Sequence, residues 1–219
     1  MKNRYFYKLS PEMDKILSDI KSLYLDNVDN QQVFPNYKDN GSVKANIESS
    51  SFIQEHYPDI CSFQKKYNMS YGINYFRGVD FFTDTGSLNP PHRHNTNFDW
   101  CILFPVENLV STVSTCFYES KPDTDNDSFF KTYYESTNGQ FAKELTSQTT
   151  EQPTIEYKPM SSLTYHSKFY LDDHSAYLFN GNQYHNPQTE DLSVPVKDRL
   201  VAYWYSYNKD KKVFEGLLQ

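Results

Sequence analysis

The sequence predicts an α+β protein in which β-structure dominates, with N-terminal helices followed by a long run of antiparallel strands. Aromatic residues make up 17% of the 219 residues, with 19 Tyr and 16 Phe, and large flat side chains suit a pleated, half-buried surface. Helical spacing of apolar residues is clear only in the first third of the chain. Beyond it, β-forming runs alternate with Asn-Gly, Asp-Asp and Asn-Pro turn signals. Helices first and strands after is the order of an α+β chain built on one β-core. Residues 1–70 are therefore read as a helical and irregular extension packed on the core, and 71–219 as the core, the two forming one structural unit.

Taken in order, Tyr5-Phe6-Tyr7 is a short extended segment, and Ser10-Pro11-Glu12 opens a helix, with Ser as N-cap and Pro in the first turn. Ile16, Ile20, Leu23 and Tyr24 give that helix one apolar face through Leu25, which packs on a sheet. Residues 26–50, rich in Asn, Asp, Gln and Ser, read as irregular connection, and 52–67 as one or two short helices broken at Tyr57-Pro58. Strands are expected at 71–82, 100–106, 109–118, 128–134, 154–157, 162–171, 176–180 and 200–207, with exposed polar loops at 120–127 and 143–153. Short strands at such intervals suit a sandwich or barrel; a double-stranded β-helix, the cupin-like jelly roll, is favoured among the all-β options.

Lys and Arg number 21 against 28 Asp and Glu, and 21 − 28 = −7, so the chain repels phosphate backbones and nucleic acid is disfavoured as a partner. Cys61, Cys101 and Cys116 have no paired spacing, and the last two sit in apolar runs, as buried thiols of a reducing compartment do. No apolar run approaches the roughly 20 residues of a membrane span, and none marks a signal peptide, so a soluble, cytoplasmic protein is expected.

Two short segments concentrate the chemistry: Pro90-Pro91-His92-Arg93-His94-Asn95 and Gln183-Tyr184-His185-Asn186-Pro187, each between runs that read as strand. Imidazoles at i and i+2 of an extended chain share a face, the geometry a metal ion needs from a strand end, and His185 is the natural distant third. Arg199 leads into the apolar run Leu200–Tyr205; a cation there is costly unless it meets an anion, although a strand-end charge can also reach solvent. His56 reads as a surface or packing residue, and Asp172-Asp173-His174, like His166 before it, as part of a hairpin region rather than a ligand set. Tyr203, Tyr205 and Tyr207 share a face of the last strand and either line a pocket or, by default, pack between sheets.

The succession Pro-Pro-His-Arg-His, then Trp100–Asn108, then Ser114-Thr115-Cys116-Phe117-Tyr118, resembles Fe(II)/2-oxoglutarate-dependent oxygenases. More narrowly, it resembles the aspartyl/asparaginyl hydroxylase-like branch with its phage-encoded and environmental relatives. Leu178–His185 and Arg199 are similar to that family's distal His and its 2-oxoglutarate-binding Arg, so the resemblance spans about residues 70–208. It implies Fe(II) as metal, 2-oxoglutarate as cosubstrate, His92 and His185 as ligands, and Arg199 as the partner of the cosubstrate's C5 carboxylate.

The departure is His94, where the family has Asp or sometimes Gly. Three readings stay open: His94 is a third ligand, it points away while water fills the position, or the site has lost its metal. A register through His94 and Thr96 supplies no carboxylate either; Asp99 is the nearest one. A neutral three-His set binds zinc as readily as iron. The function expected is hydroxylation of a small-molecule or protein side-chain substrate. The alternatives are a non-catalytic jelly-roll binding or structural module, and a cupin-like three-His metalloenzyme that uses no 2-oxoglutarate. The phage-type resemblance also admits the cytoplasm of a virus-infected host cell.

Overall fold

The β-rich part of the chain pairs into two antiparallel sheets in a computed structural model that describes residues 5–34, 42–77, 91–95, 99–109, 112–121, 154–158, 160–191, 193 and 199–219. The elements are β1 (Phe6–Lys8), α1 (Asp14–Leu25), β2 (Ser42–Asn46), α2 (Ser51–His56), α3 (Pro58–Lys66), β3 (Gly72–Arg77), β4 (His92–Asn95) and β5 (Trp100–Glu107). They continue with β6 (Val113–Ser120), β7 (Thr154–Tyr157), β8 (Leu163–Tyr170), β9 (Tyr177–Asn180), β10 (Tyr184–Thr189) and β11 (Leu200–Ser206). The expected strand at 128–134 lies outside the described residues, as do 78–82 of the first expected strand.

Six strands in the order β1-β9-β5-β11-β3-β2 form one sheet, and five in the order β7-β4-β10-β6-β8 form the other. Setting β7 aside, strands from β3 onward alternate between the sheets, except that β6 and β8 are neighbours in the smaller one. That winding is a double-stranded β-helix, a jelly roll.

The larger sheet is covered on both faces, which is why β5 and β11 are nearly continuous apolar runs. Trp100, Ile102 and Phe104 of β5, with Leu200, Ala202 and Trp204 of β11, join the helices in one core. The opposite parity, Cys101, Leu103 and Val201, meets Phe117 and Phe169 of the smaller sheet in a second core between the sheets. Helix α1 supplies Ile16, Leu17, Ile20, Leu23 and Tyr24 to the first core, and the buried Tyr75 hydroxyl donates to the Ile20 carbonyl at 2.9 Å, fixing the helix on the sheet. Burying five such side chains is worth on the order of 1.5–3 kcal/mol each.

Local chemistry departs from the sequence reading in three places. Ser10 makes no capping bond; Pro11–Met13 form a 3₁₀ turn that feeds α1, and the working N-cap is Ser50, whose hydroxyl accepts from the Ile53 amide at 3.2 Å ahead of α2. Within 26–50, Ser42–Asn46 is not irregular: it pairs with β3, because Val43 and Ala45 alternate into the core and supply a period-2 pattern hidden by polar neighbours. The two histidine segments lie inside strands, in β4 and β10, rather than between strands. Pro187, whose Asn-Pro pair is a turn signal, lies within β10. Among the described residues β10 pairs with β4 at His185↔His92, and Pro187 is registered against Thr115 of β6.

The N-terminal segment spans the open edge between the sheets. β1 pairs with β9, and Phe6 places its ring 5.4 Å from Phe117 and 4.9 Å from Phe169 of the smaller sheet. The Tyr5 hydroxyl donates to Glu119 at 2.9 Å on β6, so this segment ties one sheet to the other.

Candidate metal centre

β4 carries His92 and His94 on one face, as period-2 geometry requires, and antiparallel pairing sets His185 of β10 opposite His92. All three imidazoles are buried, and their candidate ligand atoms lie within 4.8 Å of one another. Ring centroids are 5.2 Å apart for His92 and His94, 4.6 Å for His92 and His185, and 5.1 Å for His94 and His185. Such a spread is closed by small side-chain rotations around a divalent ion that holds nitrogen at about 2.1 Å.

The turn between β9 and β10 locks this arrangement. The Gly181 carbonyl accepts from the His94 amide at 2.8 Å, and the Gly181 amide donates to the Asp99 carbonyl at 2.9 Å. His185 Nδ1 lies 2.7 Å from the Gln183 carbonyl, which can only accept, so Nδ1 holds the proton and Nε2 the free lone pair. A carbonyl that orients a ligating imidazole in this way also raises its basicity toward a metal. The Gln183 side chain in turn donates to the Tyr118 carbonyl.

His94 and His185 are held neutral at ordinary pH. Burial, with His185 and His92 close by, holds His94 well below the usual histidine value. Burial and His92 bring His185 down to about 3, against a smaller upward pull from the Gln183 carbonyl. Unprotonated nitrogen is what a metal requires, so these two are ready to ligate without first releasing protons. Aromatic rings wall the cluster: Phe179 at 5.0 Å and Phe117 at 5.9 Å from His185, and Tyr205 at 5.2 Å from His94.

Arg199 stands immediately before β11, on the parity of Val201, Tyr203 and Tyr205, which is the face turned toward the smaller sheet. It is 5% exposed, and among the described residues no carboxylate forms an ion pair with it; its partner is the Tyr203 hydroxyl. Burial lowers the guanidinium pKa, yet arginine keeps its charge in such settings, and burial likewise raises Tyr203 so that its hydroxyl stays protonated. Tyr203 and Tyr205 keep part of their surface open while Ala202 and Trp204 on the opposite face are wholly buried. The inner face of β11 thus carries Arg199 at one end and Tyr205 beside the His94 ring at the other. Four Cα steps of about 3.3 Å separate Arg199 from Tyr203, so the long Arg side chain runs up the strand toward the histidine end.

No protein-family model matches the chain, and no curated protein matches it. One solved structure that aligns with it is the epimerase SnoN in complex with Fe3+, alpha ketoglutarate and nogalamycin RO. It shares 8% identity and a TM-score of 0.45, over 93% of this chain and 79% of that one. That likeness is too loose to carry an argument about function.

Of the residues expected from the sequence, the structure thus gathers His92, His94 and His185 in one cluster and puts Arg199 on the facing wall. His94 stands with the other two rather than pointing away. Asp99 does not enter the cluster: its carboxylate accepts from the Asn182 side chain. Asp172 accepts from the His174 amide at 2.9 Å, turn chemistry at an exposed site, and His166 lies on β8 against the Tyr5 ring. Tyr207 departs from its two companions and lies exposed against Tyr71. The Gln183 carbonyl and the aromatic wall of Phe117 and Phe179 were not singled out in the sequence. Their only signal was adjacency to the histidine segment and apolar parity within strands.

Proposed function

We propose that this chain is a non-haem Fe(II)/2-oxoglutarate-dependent oxygenase acting on a small molecule or a protein side chain. The observation that carries the reading is the pairing, inside one jelly roll, of three buried, clustered imidazoles on the smaller sheet with a buried guanidinium on the facing strand. His92, His94 and His185 would hold the metal. Arg199, backed by the Tyr203 hydroxyl, would receive the far carboxylate of 2-oxoglutarate as a charge-assisted pair. The Gln183 carbonyl keeps His185 in the ligating tautomer, and Phe117, Phe179 and Tyr205 exclude water from the ligand side. Bound Fe(II) with 2-oxoglutarate and O₂ supplies oxidative decarboxylation coupled to C–H hydroxylation; the protein supplies position and electrostatics. Among the described residues no helix is long and apolar enough to cross a bilayer.

His94, standing where a carboxylate would complete a facial triad, favours a second reading: a three-His metalloenzyme of the cupin kind that uses no 2-oxoglutarate. Succinate formation from 2-oxoglutarate separates the two when native protein, His94→Asp and His185→Ala are loaded with Fe(II). Turnover in the native protein that is lost in His185→Ala supports the oxygenase. Turnover appearing only in His94→Asp marks a scaffold whose chemistry one substitution restores. Bound metal without turnover in any variant favours the second reading, and absence of metal removes both, leaving a non-catalytic module.

A further inference from the structure

Resting on the oxygenase reading, we propose that the substrate carries an anionic group, a carboxylate or a phosphate, which Lys44 of β2 receives on the inner face of the larger sheet. The face of β11 that bears Arg199, Tyr203 and Tyr205 continues across two further strands. Tyr203 is registered against Asn74 of β3, and Asn74 against Lys44 of β2, so the three residues form one row. Parity puts that row on the inner side. Phe76 packs with Val201 between the sheets, whereas Ile73, Tyr75, Val43 and Ala45 belong to the core on the helix side. Neighbouring strands lie about 4.8 Å apart, which sets the Lys44 backbone about 10 Å from that of Tyr203.

Two features separate Lys44 from an edge-strand lysine that only guards a sheet against pairing. First, its side chain lies back across β3, over Gly72 and toward β11. A Cβ at position 72 would collide with the lysine Cε and stand 3.0 Å from Nζ. The missing side chain of Gly72 is thus the room in which the lysine lies. Second, its ammonium is unused. Among the described residues no hydrogen bond or ion pair engages Lys44, nor the side-chain amides of Asn46 and Asn74 beside it. A cation flanked by two amide donors, none satisfied within the protein, suits an anion that accepts hydrogen bonds from all three. Gly72 lies toward the Tyr205 end of β11 and Arg199 at the opposite end, so the two cations serve different anions. With its anion on Lys44, the rest of the substrate would extend past Tyr205 to the His94 ring, which stands 5.2 Å from that tyrosine.

Benzoate and phenyl phosphate, with benzamide as the uncharged control, are titrated into metal-free protein and followed by the amide NMR shifts of β2 and β3. The native protein is expected to bind at least one of the anions, and which one tells a carboxylate from a phosphate. Lys44→Met should weaken that binding by about tenfold, the worth of a charge-assisted hydrogen bond, and Lys44→Arg should retain most of it. Gly72→Ala keeps the charge but pushes the flexible lysine aside, and should weaken the anion as Lys44→Met does. Benzamide should respond to none of these changes, and melting curves establish that each variant is folded. No anion binding by the native protein, or equal binding in Lys44→Met or Gly72→Ala, overturns the proposal. 2-Oxoglutarate titrated with Mn(II) keeps the oxygenase reading apart: Lys44→Met should retain its binding while Arg199→Leu loses it. Loss in Lys44→Met overturns the proposal by giving the lysine to the cosubstrate. No 2-oxoglutarate binding in native protein that still shows Lys44-dependent anion binding supports the anion site and removes the oxygenase reading alone.

Discussion

His92 on β4 and His185 on β10 are direct partners across an antiparallel pair, with ring centroids 4.6 Å apart. Residues far apart in the chain are thereby held by backbone hydrogen bonding rather than by a flexible loop, and His94 follows on the same face two residues later. The site is rigid because it is built into strands.

Ligand removal is the first consequence. His92→Ala and His185→Ala should each weaken Co(II) or Zn(II) binding by more than about 100-fold, since loss of even an outer partner of a ligand costs 10–100-fold. His94→Ala should weaken it less than His185→Ala, because His185 is oriented by the Gln183 carbonyl. Metal titration by calorimetry measures the order; equal, small effects at all three positions would exclude a shared ion.

Arg199→Leu should leave metal affinity unchanged and weaken 2-oxoglutarate binding on the order of 100-fold, the usual cost of removing one member of a buried charge pair. Tyr203→Phe, which removes only the hydroxyl behind the guanidinium, should weaken it by less, about tenfold. Parallel titrations with metal and with cosubstrate separate the two roles, and a loss of metal affinity in Arg199→Leu would point to a structural arginine instead.

The metal-free protein should lose stability as pH falls. The folded-state values of His94 and His185 are depressed, that of His185 to about 3, while unfolded histidine titrates near 6.5. Between those values the unfolded chain binds more protons than the folded one, so stability is full above about pH 6.5 and declines below it. Each histidine contributes a slope of about 1.4 kcal/mol per pH unit within that window. Urea unfolding at pH 7.5, 6 and 5 checks the slope, and saturation with Zn(II) should hold the midpoint up until protons displace the ion.

Tyr5→Phe should cost about 1 kcal/mol, the net worth of its hydrogen bond to Glu119. Phe6→Ala should cost more, about 2 kcal/mol, because its partly buried ring packs against Phe117 and Phe169. Chemical denaturation of the metal-free variants measures both. If Phe6→Ala also loosens metal binding, the first strand supports the site through Phe117, whose ring meets both Phe6 and His185.

Much of this was legible in the sequence, for identifiable reasons. The β-core announced itself because β5 and β11 are buried on both faces and so read as unbroken apolar runs. His92, His94, His185 and Arg199 stood out because a histidine pair at strand spacing and a cation ahead of an apolar run are chemically conspicuous. β2 stayed hidden because only Val43 and Ala45 of its residues are apolar, and β10 because Pro187 breaks the usual strand rule. The Asn182 clasp on Asp99 could not be read, because it joins a turn to a residue far along the chain, and the Gln183 carbonyl on His185, although only two residues away, is a backbone contact that no residue type announces.

Calorimetric titration of 2-oxoglutarate into the protein, with and without Mn(II), tests the central claim most directly, namely that the three histidines and Arg199 form one site. Binding that needs the metal, and that is lost both in His185→Ala and in Arg199→Leu, is the predicted result. Binding that is indifferent to the metal, or that survives Arg199→Leu unchanged, would contradict it.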